Sequence, residues 1–183
     1  MVIQNRLYTV DEFEAFLALP ENKERRFELI NGEIVEKVPS EEHGIIVLRI
    51  GSKLLIFVDL HNLGRVAVEV RHRIPGDDHN ARLPDISYRR DTSVPVVRQG
   101  SVPVMPDLAV EVKSPDDSYR ELRDKADYYL TNGLRMVWLV YPEKRLVEVL
   151  TPDDVDILTI DDTLDGGDVL PGFSLPVKEI FPD

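Results

Sequence analysis

The 183-residue chain predicts an α/β fold, a mixed β-sheet flanked by helices. Three observations predict it. RVAVEVRHRI and DLAVEVK alternate apolar and polar residues with the period of two that a strand requires. LRMVWLVY, bounded by Gly133 and Pro142, is an apolar run of the kind that forms a central strand buried on both faces. Two stretches, about 41–61 and 117–131, repeat apolar residues at helical spacing. The middle of the chain therefore reads helix, strand, strand, strand, helix, strand.

Each element has a local reason. Thr9-Val10-Asp11-Glu12 fits a capping box, and Phe13, Phe16 and Leu17 follow at helical spacing, so a short helix opens the chain. FELI and EIVEKV flank Asn31-Gly32, the dipeptide that favours a two-residue type I′ hairpin turn. Pro39-Ser40 precedes the long helix, whose face is marked by His43, Val47, Ile50, Leu54 and Phe57, and Gly64 closes it. In the next strand Val66, Val68 and Val70 alternate with Arg65, Ala67, Glu69 and Arg71. GDDHNAR is a polar turn, and LPDISYRR returns as a strand with Asp85, Ser87 and Arg89 on one face. In DLAVEVK, Leu108, Val110 and Val112 face one way; Asp107, Ala109, Glu111 and Lys113 face the other. Ser118 and Glu121 make a second capping box, Leu122, Ala126 and Tyr129 the apolar face, and Asn132-Gly133 the stop. RLVEVL and VDILTI read as a hairpin at the sheet edge, and LPGFSLPVKEIF as a tail docked on the body. With no internal repeat or low-complexity linker, the expectation is one domain over 1–183. It comprises an N-terminal helix and hairpin (1–40), a core (41–145), and acidic C-terminal strands and tail (146–183).

Composition narrows the function. There is no cysteine, which excludes a disulfide scaffold, a Cys-ligated zinc site and a thiol nucleophile. No apolar run approaches the roughly 20 residues of a membrane span, and MVIQNRLYTVDEF reads as no secretory leader. A cytoplasmic protein is the expectation. Thirty-four acidic residues against 22 Lys plus Arg give a net charge of −12. Residues 146–183 carry 10 acids and one base, whereas 61–145 carry 13 acids and 14 bases. The arginine-rich middle leaves room for a phosphate-bearing substrate, with weak non-specific nucleic-acid binding at physiological salt.

One constellation has chemical content. Asp85 and Glu111 are carboxylates on strands that can be neighbours, and period two sets Lys113 beside Glu111 on one face. Two carboxylates suit a hard Mg²⁺ ion, and an adjacent lysine can orient the attacking water. The residues alone equally allow an amphipathic strand with a solvated Glu–Lys pair.

The order of PDIS, DLAVEVKSPDD and KADYYLTNGLRMVWLVYP resembles the Uma-type restriction endonuclease family of the PD-(D/E)XK nuclease superfamily. YTVDEFEAF, RFELINGEIVEKVPSEEHG and the closing LPGFSLPVKEIF extend the resemblance over essentially the whole chain. It implies a restriction-endonuclease-like fold and Mg²⁺-dependent cleavage of DNA phosphodiesters, with Mn²⁺ as a substitute. On that resemblance Asp85 and Glu111 are the metal ligands, Lys113 the catalytic lysine, and His43 and Glu28 supporting catalytic residues. Lys125 is read as a phosphate contact or surface charge, and a homodimer is implied for cutting both strands. Arg65, Arg71, Arg73, Arg82, Arg89 and Arg90 are the expected DNA-facing cations. Two other readings stand beside this one. The first is a non-catalytic interaction module retaining the fold, which the acidic balance favours. The second is a metal phosphodiesterase acting on a small phosphorylated substrate.

Overall fold

The structure is a computed structural model in which residues 6–182 are described; the opening MVIQN, part of the stretch read as lacking a leader, lies outside them. The chain forms two compact units, one of 1–38, 71–83 and 96–105, the other of 39–70, 84–95 and 106–183.

The first unit starts with α1 (Val10–Leu17), where Thr9 and Glu12 complete the expected capping box. β1 (Arg26–Ile30) and β2 (Glu33–Lys37) pair antiparallel around Asn31 and Gly32. Both turn residues have positive φ, 50° and 83°, as a type I′ turn demands. Val10, Phe13, Phe27, Leu29 and Ala81 form this unit's core. Short bridges tie Leu29 to Ala81, and His72 to Arg82 and Val102.

The second unit follows the expected order. α2 (Glu41–His61) is capped by the Ser40 hydroxyl, which accepts the His43 N–H. β3 (Arg65–Val68), β4 (Ile86–Arg89) and β5 (Leu108–Val112) run as an antiparallel meander. α3 (Tyr119–Thr131), with its Ser118–Glu121 capping box, crosses over to β6 (Met136–Tyr141), which pairs parallel to β5. β7 (Leu146–Leu150) and β8 (Val155–Leu158) complete a six-stranded mixed sheet of order β3-β4-β5-β6-β7-β8. The fold is the predicted α/β class, and β6 is buried along its whole length, as its apolar run requires.

Ile46, Ile50, Leu54 and Val58 of α2 pack with Val110, Val112, Trp138 and Val140 in the main core. The tail is more than a docked end. β9 (Thr163–Gly166) and β10 (Leu170–Pro176) form a hairpin not read from the sequence, and it delivers Leu164, Leu170, Phe173 and Leu175 to this core. α3 covers the opposite face of the sheet, where Lys125 and Arg123 meet Glu111 and Glu148.

Three local expectations shift. Asn62, at φ 53°, supplies the left-handed cap of α2 rather than Gly64. Gly64 is needed for another reason: a Cβ there would lie 2.2 Å from the Arg89 carbonyl oxygen. The strand read through RVAVEVRHRI stops at Val68, which is exposed, where Glu69 takes a positive φ of 51°.

Candidate functional site

The site is built on the ends of β4 and β5 and on the inner faces of α2 and α3. Asp85 directly precedes β4, in the antiparallel register that sets Ile86 opposite Val110. Its Oδ2 accepts the Val112 N–H at 2.7 Å, so a main-chain donor of the neighbouring strand fixes the carboxylate beside the end of β5. His43, in the first turn of α2, places Nε2 3.1 Å from the same oxygen. That approach is within ion-pair range but misses hydrogen-bond geometry, leaving the buried Nε2 without a hydrogen-bond partner. Asp85 and His43 are 3% and 5% exposed.

Glu111 points to the face of β5 opposite Val110 and Val112, as strand alternation dictates. There its two oxygens are held by α3. Lys125 Nζ donates to Oε2 at 3.0 Å and the Tyr129 hydroxyl to Oε1 at 2.8 Å. Lys125 and Tyr129 are four residues apart, hence on one helix face. All three side chains are buried. A buried carboxylate is costly unless paired and hydrogen-bonded, and this one has a cation and a hydroxyl.

Lys113 shares the Glu111 side of the strand but is engaged elsewhere. Its ammonium donates to the Ser114 carbonyl at 3.2 Å and lies 3.3 Å from Glu143. The Tyr119 hydroxyl donates to Glu143 at 2.7 Å. Burial works to raise the Glu143 carboxyl; the Tyr119 hydroxyl, its own backbone N–H and Lys113 outweigh it and hold the group below the ordinary carboxylate range. A cavity of about 260 Å³ lined by Ser40, Glu42, Lys113, Pro115, Pro142 and Glu143 opens here. Glu28 belongs to the first unit, where its Oε2 accepts the Leu83 N–H at 3.3 Å.

The structure therefore groups the candidates as His43 with Asp85, Glu111 with Lys125 and Tyr129, and Lys113 with Glu143. Tyr129 was read from the sequence only as core. The signal available was a lysine and a tyrosine hydroxyl sharing the apolar face of a helix that must cover a strand bearing a glutamate. Among the described residues no three His, Asp or Glu side chains form a metal-binding group. Asp85 and Glu111 offer two carboxylates, each oxygen of which has more than one lone pair. That chemistry fits Mg²⁺ or Mn²⁺ retaining waters and taking substrate oxygens, and does not make a closed protein cage.

Most of the arginines expected to face DNA are tied to the protein's own carbonyls. Arg65 and Arg89 donate to Val94 O, Arg71 to Phe27 O and Arg90 to Val169 O. Arg82 is buried. No described helix is long and apolar enough to cross a membrane.

Comparison with known proteins agrees with this architecture. No curated protein matches the chain. A solved structure described as a putative nuclease belonging to DUF820, from Anabaena variabilis, is 27% identical with a TM-score of 0.78, covering 94% of this chain and 97% of that one. A family model described as "Putative restriction endonuclease" matches residues 13–178, a span that includes the mixed sheet, both carboxylate-bearing strand ends and α3. With nearly the whole described fold inside that match, the chain belongs to the Uma2 family.

Proposed function

We propose that the protein is a divalent-metal-dependent endonuclease hydrolysing DNA phosphodiester bonds, with Asp85 and Glu111 as the residues that would hold the metal. The observation that carries this reading is the pair of buried carboxylates at the ends of adjacent strands, each locked by a donor from a neighbouring element. Family membership and the nuclease neighbour support it. A bound Mg²⁺ supplies Lewis-acid stabilisation of the charge that builds on the phosphate.

The chain's own residues do the rest. Val112 N–H and the α3 pair Lys125 and Tyr129 hold the two carboxylates in fixed orientations before substrate arrives. Lys125 takes the role first assigned to Lys113: it is the ammonium in contact with Glu111, placed to orient the attacking water and offset developing negative charge. His43 brings its Nε2 within ion-pair range of Asp85, the carboxylate whose orientation the Val112 N–H fixes. Glu28 accepts the Leu83 N–H within the first unit and takes no step in this reading.

A second reading, a phosphodiesterase for a small phosphorylated substrate, is favoured by the cavity beside Lys113 and by the arginines' engagement with backbone carbonyls. Calorimetric Mn²⁺ binding together with supercoiled-plasmid nicking separates the readings. The endonuclease binds metal and nicks DNA, and Glu111→Gln loses both. Metal binding with hydrolysis of a small phosphodiester but no nicking selects the second reading. No metal binding selects a non-catalytic module.

A further inference from the structure

We infer that the outer face of α2 is an interface with a second copy of this chain, packed as an antiparallel helix pair about a two-fold axis near Ser52. The inference is independent of the proposed chemistry and rests on a helix apolar on both sides. The inner side of α2 fills the core with Ile46, Ile50, Leu54 and Val58. Its outer side carries Leu48, Leu55, Ile56 and Leu60, which are 46–74% exposed. A helix apolar all round is ordinarily buried all round. α3 shows the contrast: its outer side carries Arg120, Asp124 and Asp127.

The surrounding charges have been drawn away from this stripe. Arg49 turns back to donate to the Phe181 carbonyl at 2.6 Å, and Lys53 pairs with Glu179 at 3.0 Å. The exposed acids of α2 are Glu41 and Glu42 in its first turn and Asp59 in its last, so residues 44–58 carry no carboxylate. The stripe continues onto the sheet edge, because Val68 of β3 is 54% exposed and its Cγ1 lies 3.9 Å from where a Cβ on Gly51 would be. The opposite edge strand, β8, also exposes Val155 and Ile157, but Asp153, Asp154 and Asp156 guard it.

The patch suits its own copy. Antiparallel pairing about Ser52 sets Leu48 against Ile56 and Gly44 against Leu60, and Gly44, with open space around its Cα, allows close approach. The exposed parts of Leu48, Leu55, Ile56, Leu60 and Val68 amount to roughly 500 Å² per copy, at the upper end of what a monomer leaves open. Doubled across the axis they reach about 1,000 Å², the lower bound of a specific interface.

The test is analytical ultracentrifugation over micromolar concentrations, combined with single-cysteine cross-linking in a chain that has no cysteine of its own. The wild type is expected at twice the 20.9 kDa chain mass. Leu48→Glu combined with Ile56→Glu should weaken dimerisation at least a hundredfold while leaving the circular dichroism unchanged, since both side chains are exposed. Ser52→Cys should oxidise rapidly to a disulfide-linked dimer, and Asp124→Cys on α3 should not. A monomeric wild type overturns the inference, whether or not the face binds lipid vesicles or another protein. A dimer that survives the double substitution, or one that Ser52→Cys fails to cross-link, overturns it equally.

Discussion

Lys125 and Lys113 are both shielded lysines near one glutamate, yet their partners predict different losses. Lys125→Met takes the ammonium away from the buried Glu111 carboxylate, which should cost about 3 kcal/mol of stability. Adding Glu111→Leu should recover much of that cost, because the carboxylate that lost its cation is then gone. Lys113→Ala breaks a contact with a half-exposed Glu143 and should cost at most about 1 kcal/mol in urea denaturation. In plasmid nicking, Lys125→Met should lower the rate roughly a hundredfold, about 3 kcal/mol of barrier, with Lys113→Ala much closer to wild type. Equal activity of wild type and Lys125→Met would return the role to Lys113. Glu143 has a pH signature. Its carboxyl titrates below its unfolded value, so its contribution is present above about pH 4.5 and is lost as pH falls through the lower folded value. Glu143→Gln should flatten that part of the stability–pH curve, measured by urea midpoints across the acid range.

At the scale of elements, the caps and the turn carry the predictions. Ser118→Ala removes the acceptor for Glu121 N–H and half of a reciprocal capping box, so α3 should lose about 1 kcal/mol. Because α3 carries Lys125 and Tyr129, which donate to Glu111, the same change should also reduce nicking if α3 positions the carboxylate. Gly32→Ala meets two obstacles, a φ of +83° and a Cβ that would sit 2.8 Å from Leu7 Cβ. It should cost more than 1 kcal/mol, measured as a lowered thermal midpoint. These elements were legible because their signals are local: a capping box, an Asn-Gly turn and an apolar period each act within a few residues. The β9–β10 hairpin escaped because LPGFSLP has no regular alternation. Its pairing shifts register between Leu170 and Ser174, and its burial comes from the main core rather than its own pattern.

For the whole molecule, charge and the C-terminal tail decide what is expected. Arg65, Arg89 and Arg90 cap carbonyls and so are withdrawn from phosphates, and DNA affinity should show a shallow dependence on salt in a binding series. A steep slope would mean a basic surface supplied by other residues. The acidic tail cannot be removed to raise that affinity. Residues 151–183 include Leu164, Leu170, Phe173, Leu175, Val177, Ile180 and Phe181 in the main core, so truncation at 151 should unfold the second unit, seen as loss of cooperative melting.

Local signals along the chain specify the α/β class and the element order around the mixed sheet, and they single out Asp85 and Glu111 as candidates. Periodicity, capping and turn chemistry are local, and the ordered family segments carry the pair. Which groups meet those carboxylates was decided only by tertiary structure. Spacing of two put Lys113 on the face of Glu111, but a strand-end lysine reaches outward, here to Glu143, whereas a helix packed across the sheet brings Lys125 and Tyr129 down onto the carboxylate. His43 likewise meets Asp85 only because α2 packs on the sheet, the two lying forty-two positions apart in sequence. Long-range proximity depends on how faces pack, and no local period encodes it.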